Sequence, residues 1–182
     1  VSTDAVFSNP DVDDIYKVPL MVEDEGLDEY VMERLGIADN AVPKADRSQR
    51  WRELVTRERD GSVKIALVGK YGLEDAYMSV HEALKHAGIE QRTDVEVLWV
   101  DADEMEEKHA ERMESADGII VPGGFGSRGA AGKINAVRYA RENDVPFLGL
   151  CLGFQMAVIE QARNVLGLAG AHSAEIDEET PH

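Results

Sequence analysis

Val145-Pro146-Phe147-Leu148-Gly149-Leu150-Cys151-Leu152-Gly153-Phe154-Gln155-Met156-Ala157-Val158-Ile159 is the stretch whose reading decides the fold. Val145 to Leu150 is a short apolar run, as a strand buried on both faces requires, and Leu152 to Asn164 carries a helical pattern. The two meet without a loop at Gly149-Leu150-Cys151-Leu152-Gly153. That junction is the thiol counterpart of the G-x-S-x-G nucleophile elbow, in which small residues two positions either side allow a strained strand-to-helix turn that projects the nucleophile. Outward from it the same alternation repeats. Val63 to Val68, Val95 to Val100 and Gly118 to Val121 are expected strands; Ala76 to Ala87, Asp103 to Glu114 and Gly129 to Glu142 are expected helices. The first of these helices is expected to face inward through Ala76, Val80, Ala83, Leu84 and Ala87 before Gly88, and the second through Met105 and Met113. Strands separated by helices imply right-handed crossovers and an α/β fold, a doubly wound and mostly parallel sheet with helices on both faces. Binding chemistry then belongs at the carboxyl ends of the strands.

The first sixty residues differ in texture. Pro10 and Pro19 bracket a short segment, and Leu27, Tyr30, Val31 and Leu35 recur at helical spacing before Gly36. Ala38 to Arg50 holds little apolar residue, Trp51, Leu54 and Val55 form a short helical face, and a boundary falls near Asp60. Three segments follow, 1–37, 38–62 and 63–182, the middle one a linker.

The whole chain has 182 residues, 43% of them hydrophobic, enough for one good core or for one domain and part of another. Against 19 Lys and Arg stand 36 Asp and Glu, a formal net charge of −17. Phosphate binding needs clustered cations, so this charge argues against nucleic acid as a partner. The carboxylates spread over presumed surfaces as a solvating coat, which suggests a salt-loving source. No run approaches the length of a membrane span, the opening residues lack the features of a signal peptide, and a cytoplasmic location is expected. With one cysteine there is no internal disulfide and no paired-Cys zinc site.

Cys151 would stand at a helix N-terminus, where backbone N–H groups and the helix dipole favour thiolate over thiol. A lone cysteine in an apolar stretch is ordinarily a packing residue; the flanking glycines favour chemistry here. Val121-Pro122-Gly123-Gly124-Phe125-Gly126 follows the third strand, and its glycines let main-chain N–H groups approach a ligand, one oxyanion donor to set beside the N–H of Leu152. Gly124 to Gly129 also matches G-x-G-x-x-G, but Asp144 precedes a strand instead of ending one, so no dinucleotide site is assigned. Gly69-Lys70-Tyr71 is no Walker loop, since Tyr71 replaces the Ser or Thr. Of the histidines, His81, His86 and His109 fall in helical patterns and are expected at the surface. His172 and His182 come after the last clear helix, and neither begins a His-x-Glu pair, so a base for the thiol is missing.

Residues 149–167 (GLCLGFQMAVIEQARNVLG) with 121–129 (VPGGFGSRG) resemble the glutamine amidotransferase domain of the triad, class I, type. DVDDIYKVPL (11–20), VKIALVGKY (63–71), EALKHAG (82–88) and AHSAEIDEETPH (171–182) narrow the resemblance to the CTP synthase family, over nearly the whole chain. The resemblance implies a class I glutamine amidotransferase-like fold, incomplete at the C-terminus. It implies a glutaminase whose ammonia passes to a synthetase domain, where ATP phosphorylates UTP and ammonia displaces the phosphate to give CTP. By resemblance Cys151 is the nucleophile. Gly124, Leu152, Gly153, Phe154, Gln155 and Glu175 match glutamine-binding positions, and Gly123 and Leu152 the oxyanion hole. A carboxylate such as Glu175 suits the ammonium of an amino-acid substrate. Arg128 matches a region linked to the effector GTP, and Asp11 and Val12 the part of the synthetase domain beside the ATP adenine. The family also implies Mg²⁺, held mainly by synthetase residues absent here, a homotetramer built through that domain, and filaments. Segment 1–37 would be the end of the synthetase domain and 63–182 the first part of the glutaminase. The sequence stops at Thr180-Pro181-His182, before the family's substrate-binding Arg and catalytic His and Glu, so an internal fragment with negligible turnover and an exposed apolar sheet edge is expected. Two alternatives stay open: another triad-type amidotransferase or related cysteine hydrolase, and a regulatory or assembly module without a base.

Overall fold

The computed structural model describes residues 2–37, 45–70, 74–103 and 111–182. They form two compact units, Val1–Glu58 and Arg59–His182. The first is helical: α1 (Val18–Asp24), α2 (Leu27–Arg34) and α3 (Ala45–Thr56). Asp14 caps the turn before α1 by accepting from the Tyr16 N–H at 3.0 Å. The Trp51 indole N–H donates to the Tyr16 carbonyl at 3.0 Å and seats α3 against that turn. The helix begins well before its apolar face, because Gln49 and Glu53 pair one turn apart and Ser48 bonds to Glu23.

The second unit is an open α/β sheet. Its elements are β1 (Gly61–Gly69), α4 (Met78–Gln91), β2 (Thr93–Asp101), α5 (Glu111–Glu114), β3 (Gly118–Val121), α6 (Ala130–Glu142), β4 (Phe147–Gly149) and α7 (Leu152–Glu160). The strand order is β2-β1-β3-β4 and every pairing is parallel. The chain runs outward from β1 to β2 and then returns to the other side of β1, so the switch point lies between β1 and β3. This is the doubly wound parallel class expected from the alternation.

One face of the sheet carries Ala66, Val68, Val100, Ala102, Ile119 and Val121 and is closed by Ala136 and Ala140 of α6 with Met113 of α5. Between α6 and α7, Ala130, Ile134, Val137, Leu152, Met156 and Ile159 make a second cluster. The opposite face is covered unevenly. Leu67, Ile120 and Leu148 stand side by side in register, and their exposure rises from 0% to 7% to 52% toward the edge strand. A parallel sheet is normally covered on both faces; among the described residues the β4 end of this face stays open at Leu148.

Several local expectations change. Ala76, Ala83 and Ala87 are exposed; α4 faces the sheet through Val80, His81, Leu84 and Gly88, and His81 is half-buried. The cause is Gly88, where a Cβ would lie 2.6 Å from the Thr93 carbonyl oxygen, so the helix turns that flank inward. β4 is shorter than the apolar run because Pro146 has no N–H and Val145 donates to the Ala140 carbonyl at 2.9 Å. Residues 161–165 wind as one π turn, with the Leu166 N–H donating to the Gln161 carbonyl. Met113 is buried as expected, whereas Met105, His109 and Tyr71 lie outside the described residues, as does 38–44 of the expected linker.

A buried ion pair joins α6 to α7. Glu160, 1% exposed, accepts two hydrogen bonds at 2.8 and 3.0 Å on Oε1 from Arg141, and a third from Asn164 at 3.1 Å. Arg141→Met strands that carboxylate without a cation and is expected to lower the melting temperature by several degrees. The double variant Arg141→Met with Glu160→Met is expected to recover most of the loss, which thermal melts of the four proteins will show.

Candidate functional site

The junction of β4 and α7 is set by two close approaches. A Cβ on Gly149 would meet the Gly153 carbonyl carbon at 2.6 Å, and one on Gly153 would meet the Val121 carbonyl oxygen at 2.0 Å. Both positions therefore need glycine, and α7 lies directly on the end of β3. Between them Cys151 has φ 52° and ψ −108°, a backbone conformation that costs a non-glycine residue about 1–3 kcal/mol. The thiol is exposed at the first turn of α7, and its Sγ has no hydrogen bond among the described residues. The N–H groups of Phe154 and Gln155 both donate to the Cys151 carbonyl, at 3.0 and 3.2 Å, and that of Gly153 to Leu150 at 2.9 Å. The Leu152 N–H carries none of these bonds, which suits it as a donor to a ligand beside Sγ.

The loop after β3 runs past the same thiol. A Cβ on Gly123 would lie 3.6 Å from the Cys151 Cβ, and one on Gly124 would lie 3.5 Å from Leu152 Cδ2 and 3.7 Å from Lys133 Nζ. Phe125 projects into solvent, while its carbonyl accepts from Lys70 Nζ at 2.6 Å, and the same ammonium stands 4.7 Å from its ring centroid. Lys133 is fully buried, and its Nζ has no hydrogen-bond partner among the described residues. Burial first, and then the charge of Lys70, hold its amine below the usual lysine range, with Asp103 acting in the opposite sense. Arg128 is engaged with Asp103, Nη2 to Oδ2 at 2.7 Å.

Of the residues singled out by sequence, the structure brings Gly123, Gly124, Cys151 and Leu152 into one cluster. Gly153 and Phe154 belong to the same turn of α7, and Gln155 Nε2 reaches Glu175 Oε2 at 3.5 Å, which joins that turn to the tail. Arg128 stands on the loop before α6. Asp11, exposed, and Val12 belong to the first unit. His172 is engaged within the tail: its ring Nδ1 accepts from the Ser173 N–H at 2.9 Å, and its main-chain N–H donates to Thr180 Oγ1 at 2.9 Å. Sequence reasoning missed Lys133. A signal existed, since Ala130, Lys133, Val137 and Ala140 share one helical stripe that is otherwise apolar.

No helix of the described residues is long and apolar enough to cross a membrane. Residues 73–180 match the Glutamine amidotransferase class-I family. Among curated relatives, the CTP synthase of Natronomonas pharaonis is 70% identical over 182 residues, covering 100% of this chain and 33% of the relative. That of Thermococcus gammatolerans is 51% identical over 185 residues, covering 100% and 34%. This chain thus spans about a third of the length of the curated relatives it matches. Relatives at 70% identity come from halophilic archaea, Haloarcula hispanica among them, in keeping with the acidic coat. Among solved structures, the Trypanosoma brucei CTPS glutaminase domain with bound acivicin aligns at a TM-score of 0.59 and 41% identity, covering 66% of this chain and 48% of that one.

Proposed function

Because the chain belongs to the class-I glutamine amidotransferase family, we propose that it forms the Cys-nucleophile glutaminase part, with the end of the preceding domain, of a CTP synthase. The observation that carries the reading is the elbow: a strained, exposed Cys151 held between two glycines that admit no side chain. On this reading residues 1–37 end the synthetase domain, 38–62 are the linker and 63–182 belong to the glutaminase.

Cys151 Sγ attacks the side-chain amide carbon of glutamine. The carbonyl π electrons move onto oxygen, which the main-chain N–H groups near Gly123 and at Leu152 receive. Collapse breaks the C–N bond, the nitrogen takes up the proton that the thiol gave up and leaves as ammonia, and water cleaves the remaining thioester to glutamate and free thiol. Glu175 and Gln155 hold the amino-acid end, with Gly124, Gly153 and Phe154 lining the approach. Ammonia then aminates UTP in an ATP-dependent step outside these residues. By their resemblance to the family's synthetase domain, Asp11 and Val12 belong beside the ATP adenine. Among the described residues no group of three or more His, Cys, Asp or Glu could hold a metal, so no step is assigned to Mg²⁺ here. GTP acts as activator at Arg128, in a cytoplasmic homotetramer able to form filaments.

The test is to treat the native polypeptide from its source with diazo-oxo-norleucine and map the adduct by mass spectrometry. One adduct, on Cys151, is expected. Native protein that stays unmodified sinks the glutaminase reading and favours a regulatory module.

A further inference from the structure

Lys133 is a charge that almost every neighbour disfavours. It is 0% exposed and unpaired among the described residues, and it sits in the first turns of α6, at the positive end of the helix dipole. Lys70 adds a like charge, and the carboxylate that opposes it, Asp103, is already bound to Arg128. An apolar side chain of similar length would fill the space without stranding an ammonium. What the ammonium does lie beside is the loop after β3. Its Nζ is 3.7 Å from where a Gly124 Cβ would be, and Gly123, one peptide earlier, is the residue against Cys151.

We infer that Lys133 is a positioning residue of the glutaminase centre, whose unpaired buried ammonium orients and polarises the Gly123–Gly124 main chain toward the negative charge that develops at Cys151. The inference rests on the glutaminase reading. Glutamine's amide is neutral when bound and its oxygen becomes an anion only in the transition state. A positive charge carried there without a counter-ion would therefore favour the transition state over the bound substrate. Its loss should appear in kcat and not in KM.

The experiment uses the full-length protein and compares wild type with Lys133→Met and Lys133→Gln. Glutamine-driven CTP formation, ammonium-chloride-driven CTP formation and the melting temperature are measured on each. For both variants, glutamine-driven kcat is expected to fall about tenfold or more, below the loss for a direct oxyanion donor. KM for glutamine stays within about twofold and the ammonia-driven rate is unchanged. The methionine variant melts no lower than wild type, because a stranded charge has been removed. Wild-type kcat in the methionine variant overturns the inference. So does wild-type kcat in Lys133→Gln, which would make hydrogen bonding and not charge the cause. A fall in melting temperature and in both rates together would also overturn it, as the mark of a packing role. Glutamine-driven activity that survives Cys151→Ala would instead sink the glutaminase reading itself.

Discussion

Gly153→Ala is expected to be among the most damaging single-methyl changes in the chain. The added Cβ would stand 2.0 Å from the Val121 carbonyl oxygen and 2.8 Å from its carbon, far inside any real contact. Neither side yields easily. Val121 is fully buried in β3, and its carbonyl already accepts from the Leu150 N–H at 2.9 Å. The start of α7 must therefore back away from the sheet, which opens the cluster of Leu152, Met156 and Ile159 against α6. Overpacking against a main chain that cannot move costs about 3 kcal/mol or more. For a unit of this size that is roughly 10 °C in melting temperature. Gly167→Ala is the reference: with φ +71° but nothing within 4 Å, it costs only the backbone strain, about 1–2 kcal/mol. Thermal melts of the two variants decide the matter. A Gly153→Ala protein as stable as Gly167→Ala would mean that α7 does not rest on β3 as described.

On the glutaminase function proposed above, Cys151→Ala in the full-length protein is expected to reduce glutamine-driven CTP formation by about 10⁴-fold or more, the scale on which removing a covalent nucleophile acts. The ammonia-driven rate should stay within about twofold, because that route needs no thiol. Folding should suffer little, since the side chain is exposed. Cys151→Gly makes the same chemical deletion and also relieves the positive φ, so it should be equally inactive yet melt higher than Cys151→Ala. A glycine variant no more stable than the alanine variant would show that the elbow stores no strain. Retained glutamine-driven activity in either would remove Cys151 from the reaction.

The fold was legible because its signals are local. Gly118 to Val121 is fully buried and falls where the apolar run places it, and Gly129 caps α6 in the left-handed conformation that glycine permits. The elbow was legible in part for the same reason, since Gly149 marks a contact with Gly153 a few residues on, whereas the approach of Gly153 to Val121 is to a strand far back in the chain. What escaped the reading depends on distant partners. The alanines of α4 have helical spacing, yet the side that turns inward is chosen by Gly88 meeting the Thr93 carbonyl. Glu160 and Lys133 were not singled out by sequence. Only the packing of α6 against the sheet and against α7 shows that one is paired with Arg141 and the other is unpaired. Pro146, plainly visible, did shorten β4, but the cost of its missing N–H is apparent only beside β3.

The row of Leu67, Ile120 and Leu148 bears on how copies of this chain meet in solution. At low ionic strength a net charge of −17 repels like molecules well beyond contact range. In molar salt the screening length shrinks to about 3 Å, so that repulsion fades to almost nothing. Strongly hydrated salts meanwhile strengthen the burial of apolar surface. The uncovered end of the row, beside β4 as the outer strand of the sheet among the described residues, then becomes one place where apolar surface favours association. The same medium that suits the acidic coat thus gives added weight to whether Leu148 is covered.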